Sequence, residues 1–235
     1  MRTCCYNSLM DLKRIAFIGR TFGEYRDMFN LVDGDLHDGT VLDCPAGASS
    51  FTAEARDLGC EATACDILYK ETARQLRQRC LEDLSHIFGD AFDKVSDRYT
   101  WEYYGNKERL RAMRQQAFEA FIRDFEAGHS GRYVGAALPG LPFKDGEFRL
   151  VLSSHFLFLY DSWLSPETHV SCLRELLRVA SREVRVFPLS SMDGSEYARM
   201  EMVLSAMRDE GVTVEIAPAG LEFLRGANMM LRLLK

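Results

Sequence analysis

Residues 41–51 decide the fold of this chain, and they read Val-Leu-Asp-Cys-Pro-Ala-Gly-Ala-Ser-Ser-Phe. The stretch starts with an apolar pair that ends in an acid. A tight Pro-Ala-Gly turn follows, and two serines then open a segment with helical spacing. This order predicts a buried strand, a sharp turn and the N-terminus of a helix. In an open α/β sheet, ligands bind at such a junction, outside the carboxyl ends of the strands.

The residues on either side extend this junction to a strand–helix–strand unit. We expect the first strand at roughly 39–44 and a helix at 49–58, which ends at a glycine, a natural C-cap. The second strand, 61–66, stops at Asp66, 23 positions after Asp43. This length fits a βαβ unit with a right-handed crossover.

Strands and helices alternate through most of the remaining chain. The other predicted elements are helices at 22–31, 166–180 and 197–210, and strands at 132–137, 150–154, 183–187, 212–217 and 228–234. A helix end is expected at 33–35, and residues 69–130 show helical spacing without a convincing strand. The prediction is one α/β domain over 1–235, with a mainly parallel seven-stranded sheet, helices on both faces, an antiparallel C-terminal hairpin and a helical insertion or lid at 69–130.

Composition and charge limit the possible partners. The chain has 235 residues, is 47% hydrophobic, which is enough for a sizeable core, and carries a formal net charge of -6. This acidic balance argues against a protein that binds nucleic acid over a broad basic face and leaves a local basic patch open. The longest nearly apolar run, 150–160, is too short for a membrane-spanning helix, and residues 1–7 contain no apolar signal core. We expect a cytoplasmic protein that has no membrane partner.

The seven cysteines lack disulfide-like spacing. Those at 44, 60, 65 and 172 fall inside apolar patterns and are expected to be small core residues. The adjacent pair at 4 and 5 leaves a metal or redox role open. Because the sequence contains no CxxC and no paired His/Cys spacing, no metal site is predicted.

The first turn and the end of the second strand indicate a ligand. An acid in the position of Asp66 accepts hydrogen bonds from ribose hydroxyls, although it could instead be a surface acid that caps a helix. Dinucleotide sites need glycines for close approach to a pyrophosphate, whereas this turn has Pro45, Gly47 and Ser49. S-adenosylmethionine has no phosphate and needs one close approach, which Gly47 can supply. Backbone donors near the helix start, together with Ser49 and Ser50, can meet its carboxylate. The turn therefore favours S-adenosylmethionine over NAD.

Four stretches carry a resemblance to a known family. They are VLDCPAGASSF (41–51), ACDILY (64–69), LPFKDGEFRLVLSSHFLFLY (141–160) and CLRELLRVA (172–180). The third is similar to an LPF-x-D-x-x-F-D-x-V pattern, whereas the first lacks two of the usual three glycines. With these stretches the chain resembles the class I S-adenosylmethionine-dependent methyltransferases, with an atypical first motif. The resemblance implies their Rossmann-like methyltransferase fold.

The resemblance also implies a set of cofactor-binding residues. They are Arg20, Asp43, Pro45, Ala46, Gly47, Ser49, Asp66, Ile67, Ala137, Leu138, Ser154, His155 and Phe156. Asp43 and Gly47 would line the methionine side, Asp66 would bind the ribose, and Ile67 would flank the adenine. Arg20 would pair with the ligand carboxylate if the N-terminal helix folds over the cleft.

The remaining positions of that set concern the adenine and the acceptor. Residues 136–137 are alanines where many relatives carry an acid, so that backbone and apolar contacts near Ala137 and Leu138 would hold the adenine. The three residues 154–156 would face the sulfonium and the acceptor. His155 is the candidate general base, because imidazole titrates near neutral pH; alternatively it positions the ligand or packs under the insertion. Tyr160 and Asp161 follow on the same loop.

Two features of the insertion bear on the acceptor. The aromatic cluster at 99–104 is either a lid over the site or the insertion's own small core. The arginines of the last insertion helix, 111, 114 and 123, are expected on a solvated face, because the segment 69–130 is neutral as a whole.

The expected function is S-adenosylmethionine-dependent methyl transfer to a small-molecule acceptor that the sequence does not identify. The alternatives are a protein or RNA methyltransferase with the same core, and an enzyme that transfers another group of the same ligand, such as aminocarboxypropyl. A non-catalytic protein of the same fold that binds S-adenosylmethionine or S-adenosylhomocysteine is a further alternative. A dinucleotide enzyme is disfavoured by the first turn.

Overall fold

The computed structural model describes residues 14–89, 92 and 96–235. The helices of this part are α1 (Phe22–Phe29), α2 (Asp33–His37), α3 (Phe51–Asp57), α4 (Ala73–Ile87), α5 (Lys107–Glu126), α6 (Pro166–Val179) and α7 (Met200–Asp209). The strands are β1 (Val41–Asp43), β2 (Ala62–Cys65), β3 (Tyr133–Val134), β4 (Phe148–Ser154), β5 (Ala180–Phe187), β6 (Thr213–Pro218) and β7 (Met229–Leu234). Short 3-10 turns lie at Ile67–Lys70, Ser96–Arg98 and Asp161–Trp163.

The seven strands form one sheet in the order β3-β2-β1-β4-β5-β7-β6. The first five strands in this order pair in parallel, and β7 is antiparallel to both β5 and β6. The strand order reverses beside β1, which is the place where open α/β sheets bind ligands. The predicted fold class, a mainly parallel seven-stranded sheet with an antiparallel C-terminal hairpin, is confirmed.

Helices cover both faces of the sheet, which explains why the three residues of β1 are all buried. On one face, apolar side chains of α1, α3, α4 and α5 form one core cluster. On the other face, α6 and α7 contribute to a second cluster. On α6, Cys172, Leu173, Leu176 and Leu177 lie at helical spacing and are buried, as expected for one apolar stripe.

The structure differs from the sequence prediction where α1 ends. The helix stops at Phe29 because Asn30 adopts a left-handed conformation, with φ 48°. The predicted helix end at 33–35 is wrong, since α2 begins at Asp33. The short helix α2 is anchored through Asp35, whose carboxylate pairs with Arg185 at 2.9 and 3.0 Å. A partner on a distant strand therefore stabilises a helix that local sequence signals do not indicate.

The segment 69–130 is helical, as predicted, with α4 packed against α5. In its described residues the β structure is limited to one isolated bridge, between Tyr99 and Leu224. The prediction that Arg114 lies on a solvated face is wrong, because this residue is 2% exposed. Its guanidinium pairs with Glu24 of α1, a partner that is distant in sequence. Arg111 and Arg123 are exposed, as predicted.

The cysteines at 44, 60, 65 and 172 are buried, which confirms their prediction as core residues, and Cys80 is buried as well. The pair at 4 and 5 lies outside the described residues. In the part of the chain that the structure describes, no helix has both the length and the apolar character needed to cross a bilayer.

Candidate active site

Two hydrogen bonds connect the turn after β1 to the residues that follow β2. Gly47 has φ +58°, a left-handed conformation that glycine adopts without steric cost. Its N–H donates to Asp66 Oδ2 over 3.0 Å, and its carbonyl accepts from the Tyr69 hydroxyl over 2.7 Å. The backbone of the turn and the carboxylate of Asp66 are therefore held as one unit.

Asp66 caps the 3-10 turn that follows it, because its Oδ1 accepts from the Leu68 N–H over 2.9 Å. Its side chain is nevertheless at the cavity wall, and burial raises its pKa above the ordinary value against the opposing effect of the two backbone donors. A carboxylate has about four acceptor positions, so the two amides leave room for hydroxyl donors of a ligand. Helix capping and ribose binding are thus compatible at this residue.

Residues 14–20, which we call the strap, lie across the same turn. The Arg20 carbonyl accepts from the Ser50 N–H and from the Ser49 hydroxyl, both over 3.1 Å. A Cβ atom at Gly19 would lie 1.8 Å from the Ala48 carbonyl oxygen, so that only glycine permits this approach. The hydroxyl of Ser49, predicted to meet a ligand carboxylate, is thus engaged with the strap. Sequence reasoning missed Gly19, whose only signal is a glycine next to a short apolar run.

The other end of the strap is fixed by α4 and by the loop after β4. The Phe17 N–H donates to Asp83 Oδ2 over 2.8 Å, and Arg79 donates to the Ile15 carbonyl over 2.9 Å. The Tyr160 hydroxyl accepts from the Ala16 N–H over 3.2 Å. These contacts make the strap one wall of a cavity of about 450 Å³ along the carboxyl edge of the sheet.

Twelve of the thirteen predicted cofactor-binding residues line this cavity. They are Arg20, Pro45, Ala46, Gly47, Ser49, Asp66, Ile67, Ala137, Leu138, Ser154, His155 and Phe156. The exception is Asp43, which is fully buried on the α1 side of the sheet, where its Oδ1 accepts from the Tyr25 hydroxyl over 3.0 Å. Because successive side chains of a strand point to opposite faces, Cys44, which lines the cavity, faces away from the α1 side on which Asp43 lies. Asp43 is thus set back from the cavity wall behind Tyr25, which lines the cavity, and its Oδ2 is buried without a partner among the described residues.

Arg20 presents an unpaired cation to the cavity. Its guanidinium makes no hydrogen bond or ion pair to any residue within 14–89, 92 and 96–235, and its Nε is buried without a partner. Burial and the positive charge of Arg114 lower the pKa of Arg20 to about 10, so the group stays charged at neutral pH. Since burial of an unpaired charge is costly, this position favours an anionic group of a ligand.

A buried ion pair joins α1 to α5 beside Arg20. Arg114 Nη1 lies 2.6 and 2.8 Å from the two carboxylate oxygens of Glu24. The Tyr104 hydroxyl accepts from Arg114 Nη2 over 3.0 Å and donates to Glu24 over 2.5 Å. Burial opposes ionisation of Glu24, but the charge of Arg114 holds the pKa of this carboxyl below its ordinary value. Glu24 and Arg114 are thus both charged, and their opposite charges neutralise each other.

His155 follows β4 in a left-handed conformation, with φ 52°. Its N–H donates to the Phe187 carbonyl over 2.6 Å, and its Nδ1 lies 2.8 Å from the Ser154 hydroxyl. Burial and the charges of Arg20 and Arg114 lower the pKa of His155 well below 6.5. This shift in pKa favours the neutral imidazole, which can form hydrogen bonds at the site, over the charged form.

Stacked rings form one part of the cavity wall, and we call this set the aromatic ladder: Phe88, Phe92, Tyr99 and Phe223. Successive ring centroids lie 5.3, 5.0 and 4.3 Å apart, and all four residues line the cavity. The ladder joins the insertion to the loop between β6 and β7, since Thr100 N–H donates to the Phe223 carbonyl over 2.8 Å. Sequence reasoning missed Phe223, because no local motif marks this loop.

The aromatic cluster at 99–104 divides between the two predicted roles. Tyr99 lines the cavity, whereas Trp101 packs against the ladder. Tyr103 donates to Asp27 of α1 over 2.7 Å, and Tyr104 belongs to the buried ion-pair network. In the loop after β4, Tyr160 lines the cavity, while Asp161 accepts from the Ser191 hydroxyl over 2.9 Å. Among the described residues no group of His, Cys, Asp or Glu side chains is arranged to hold a metal ion.

Comparison with known proteins identifies a relative. The uncharacterized protein MJ0045 of Methanocaldococcus jannaschii is 30% identical over 222 residues, which cover 94% of this chain and 97% of that protein. The chain belongs to the MJ0045 family. No protein-family model matches the chain. Membership of the MJ0045 family thus rests on sequence similarity along nearly the whole of both chains. The name of the relative states no activity.

Several solved structures resemble this MJ0045-family chain at low identity. Magnesium protoporphyrin IX methyltransferase from Synechocystis, with bound SAM, has a TM-score of 0.46 and 12% identity over 86% of this chain and 73% of that one. A SAM-dependent methyltransferase from Aquifex aeolicus has a TM-score of 0.43 and 15% identity, covering 86% and 84%. A tRNA (m1A58) methyltransferase from the same organism has a TM-score of 0.46 and 6% identity, covering 99% and 76%. Since one is named for a porphyrin and another for a tRNA, these resemblances identify no acceptor.

Proposed function

We propose that the cavity binds S-adenosylmethionine and that the chain catalyses methyl transfer from it to a small molecule. The observation that carries this proposal is the unpaired guanidinium of the half-buried Arg20, whose Nε is buried without a partner, on one side of the Gly47 turn. On the other side of the same turn, Asp66 retains acceptor positions at the cavity wall. The spacing of an anion site and a hydroxyl-binding carboxylate around a turn without phosphate-binding glycines suits a sulfonium nucleoside with an amino-acid tail.

The residues at the cavity wall fit the parts of this cofactor. Arg20 would pair with its carboxylate through charge-assisted hydrogen bonds, and Asp66 would accept from the ribose hydroxyls. Ile67, 54% exposed beside Asp66, offers an apolar surface for the adenine. Ala137 and Leu138 lie at the same end of the cavity and add further apolar contacts.

The bound cofactor would supply an activated methyl group, and the protein would orient the reactants and exclude water. Ser154 and His155 lie at the end of β4, next to the turn at the end of β1, because these two strands are neighbours in the sheet. The neutral imidazole of His155 can hold an acceptor hydroxyl by a hydrogen bond. Its low pKa makes it a weak base, so its role in this proposal is positioning of the acceptor.

Calorimetry with three ligands tests the cofactor proposal. S-adenosylhomocysteine carries both the nucleoside and the amino-acid tail, 5′-methylthioadenosine lacks the tail, and NAD carries a pyrophosphate. We expect saturable binding of the first two and none of NAD. Tighter binding of NAD than of S-adenosylhomocysteine would overturn the proposal.

Two variants test which part of the ligand Arg20 and Asp66 each contact. Hydrogen bonds to charged groups contribute about 1.5–3 kcal/mol, so Arg20→Ala should weaken S-adenosylhomocysteine about 10-fold to 150-fold and leave 5′-methylthioadenosine unchanged. Asp66→Ala should weaken both ligands, because both contain the ribose. Arg111→Ala and Glu71→Ala, at exposed positions on α5 and beside the 3-10 turn, are the matched controls. Unchanged affinity for S-adenosylhomocysteine in Arg20→Ala would show that Arg20 does not bind the carboxylate.

A further inference from the structure

The half of the cavity beyond His155 differs in chemistry from the half at Asp66. It is built from the ends of β4 and β5, the strap, the insertion and the loop between β6 and β7. Its surface is formed by the aromatic ladder together with aliphatic side chains such as Leu110, Leu221 and Leu224. The strand order places this half on the opposite side of β1 from β2 and β3. It is therefore the space for the methyl acceptor if the proposed function holds.

The charged side chains at the cavity wall either pair with other residues or, in the proposed function, bind the cofactor. Among the described lining residues the charged side chains are Arg20, Asp66, Arg79 and Arg114. Arg79 pairs with Asp83 over 2.9 Å, and Arg114 pairs with Glu24. In the proposed function the remaining two, Arg20 and Asp66, bind the cofactor. A charged acceptor would therefore lose its hydration in this half without gaining a counter-ion, which is unfavourable.

We propose that the methyl acceptor is an uncharged, ring-containing apolar molecule that packs against the aromatic ladder. This inference rests on the proposed function, since it assigns the second half of the same cavity. Flat rings match the ladder because aromatic side chains pack favourably with other rings in stacked and edge-to-face geometry. A polar peptide or a nucleic acid segment would bring many hydrogen-bonding groups to a wall that offers few partners for them.

A fluorescent probe tests this inference without knowledge of the acceptor. N-phenyl-1-naphthylamine is an uncharged aromatic molecule that brightens in apolar surroundings, and 1-anilinonaphthalene-8-sulfonate has the same rings with an added anion. Each probe is titrated into the full chain saturated with S-adenosylhomocysteine. We expect saturable binding of the uncharged probe and at least tenfold weaker binding of the sulfonate. Sulfonate binding that is less than tenfold weaker than that of the uncharged probe, or failure of the uncharged probe to bind, would overturn the inference.

A matched pair of variants locates the probe. Leu224 lines the cavity and is half-buried, so Leu224→Glu places a charge on the apolar wall and should weaken the uncharged probe at least tenfold. Leu81→Glu makes the same change at an α4 side chain that is 55% exposed, and it should leave the probe unaffected. Unchanged binding in Leu224→Glu would overturn the inference. Met192→Glu, also at the cavity wall, is the substitute if Leu224→Glu does not fold.

Calorimetry of S-adenosylhomocysteine on the same samples separates the two proposals. If this ligand binds and the uncharged probe does not, the inference about the acceptor is overturned and the proposed function stands. If S-adenosylhomocysteine does not bind to the wild type, both are overturned. Retained affinity for S-adenosylhomocysteine in Leu224→Glu confirms that the variant is folded, so that its loss of probe binding supports the inference.

Discussion

The buried pair Glu24–Arg114 supports the wall that carries Arg20, and Glu24→Gln tests this role. Glu24 is fully buried and accepts hydrogen bonds from Arg114, the Tyr104 hydroxyl, the Thr21 N–H and the Thr21 hydroxyl. Glutamine keeps the shape but removes the charge, so the guanidinium of Arg114 remains buried without a counter-ion. Removal of one partner of a buried ion pair costs about 3–5 kcal/mol of unfolding free energy.

This cost converts to a measurable shift in melting temperature. For a chain of this size each kcal/mol lowers the melting temperature by about 2–4 °C, so Glu24→Gln should melt about 6–20 °C below the wild type. Thermal and urea unfolding, followed by circular dichroism, measure the difference. Glu82→Gln is the matched control, because Glu82 pairs with Arg14 on the surface and its loss should change little.

Two further measurements distinguish the ion pair from simple loss of packing. In Glu24→Gln/Arg114→Met both charges of the pair are removed together, so the double variant should be less destabilised than the sum of the single variants. The folded state holds the pKa of Glu24 below its ordinary value of 4.5, so its contribution is present above pH 4.5 and is lost as the pH falls through the lowered pKa. The difference in unfolding free energy between the wild type and Glu24→Gln should therefore become smaller in acid. A difference in unfolding free energy that grows in acid would refute this role of the ion pair. Equality between the loss in the double variant and the sum of the losses in the single variants would also refute it.

Two other predictions concern the strap and His155. Gly19→Ala should destabilise the chain by about 1–3 kcal/mol and weaken S-adenosylhomocysteine, because its Cβ would meet the Ala48 carbonyl. Gly23→Ala, where the nearest heavy atom to an added Cβ lies 3.9 Å away, is the control in the same calorimetry. Since burial, Arg20 and Arg114 depress the pKa of His155, the unfolded state takes up a proton first below pH 6.5; the wild type should lose stability there as the pH falls, and His155→Gln should lose less in the same melts. Equal losses in the two proteins would contradict the lowered pKa.

Local patterns were sufficient for the central part of the fold. The turn at 45–49 and Asp66 were found from sequence because a buried strand that ends in an acid or a tight turn has a strong local signal. The contact of Asp43 with Tyr25 of α1 could not be predicted, since it depends on how α1 packs against the end of β1. The first two strands, the helical insertion and the C-terminal hairpin were predicted for the same local reason.

Long-range electrostatics and close contacts were not accessible from local patterns. Arg114 resembles a solvated residue in its own helix, and its burial depends on Glu24, 90 positions away. The lowered pKa of His155 results from burial and from arginines of the strap and of α5, which only the tertiary structure brings together. The contact of Gly19 with the turn and the position of Phe223 on the cavity wall depend in the same way on how distant segments pack.

The central claim, that this cavity is a site for S-adenosylmethionine, is tested most directly by a crystal structure of the chain with S-adenosylhomocysteine. We predict density for the ligand along the carboxyl edge of the sheet, with the ribose hydroxyls within hydrogen-bond distance of Asp66 and the carboxylate on Arg20. The ligand sulfur should face Ser154 and His155. Density elsewhere on the molecule, or a ligand in the cavity that contacts neither Asp66 nor Arg20, would contradict the account.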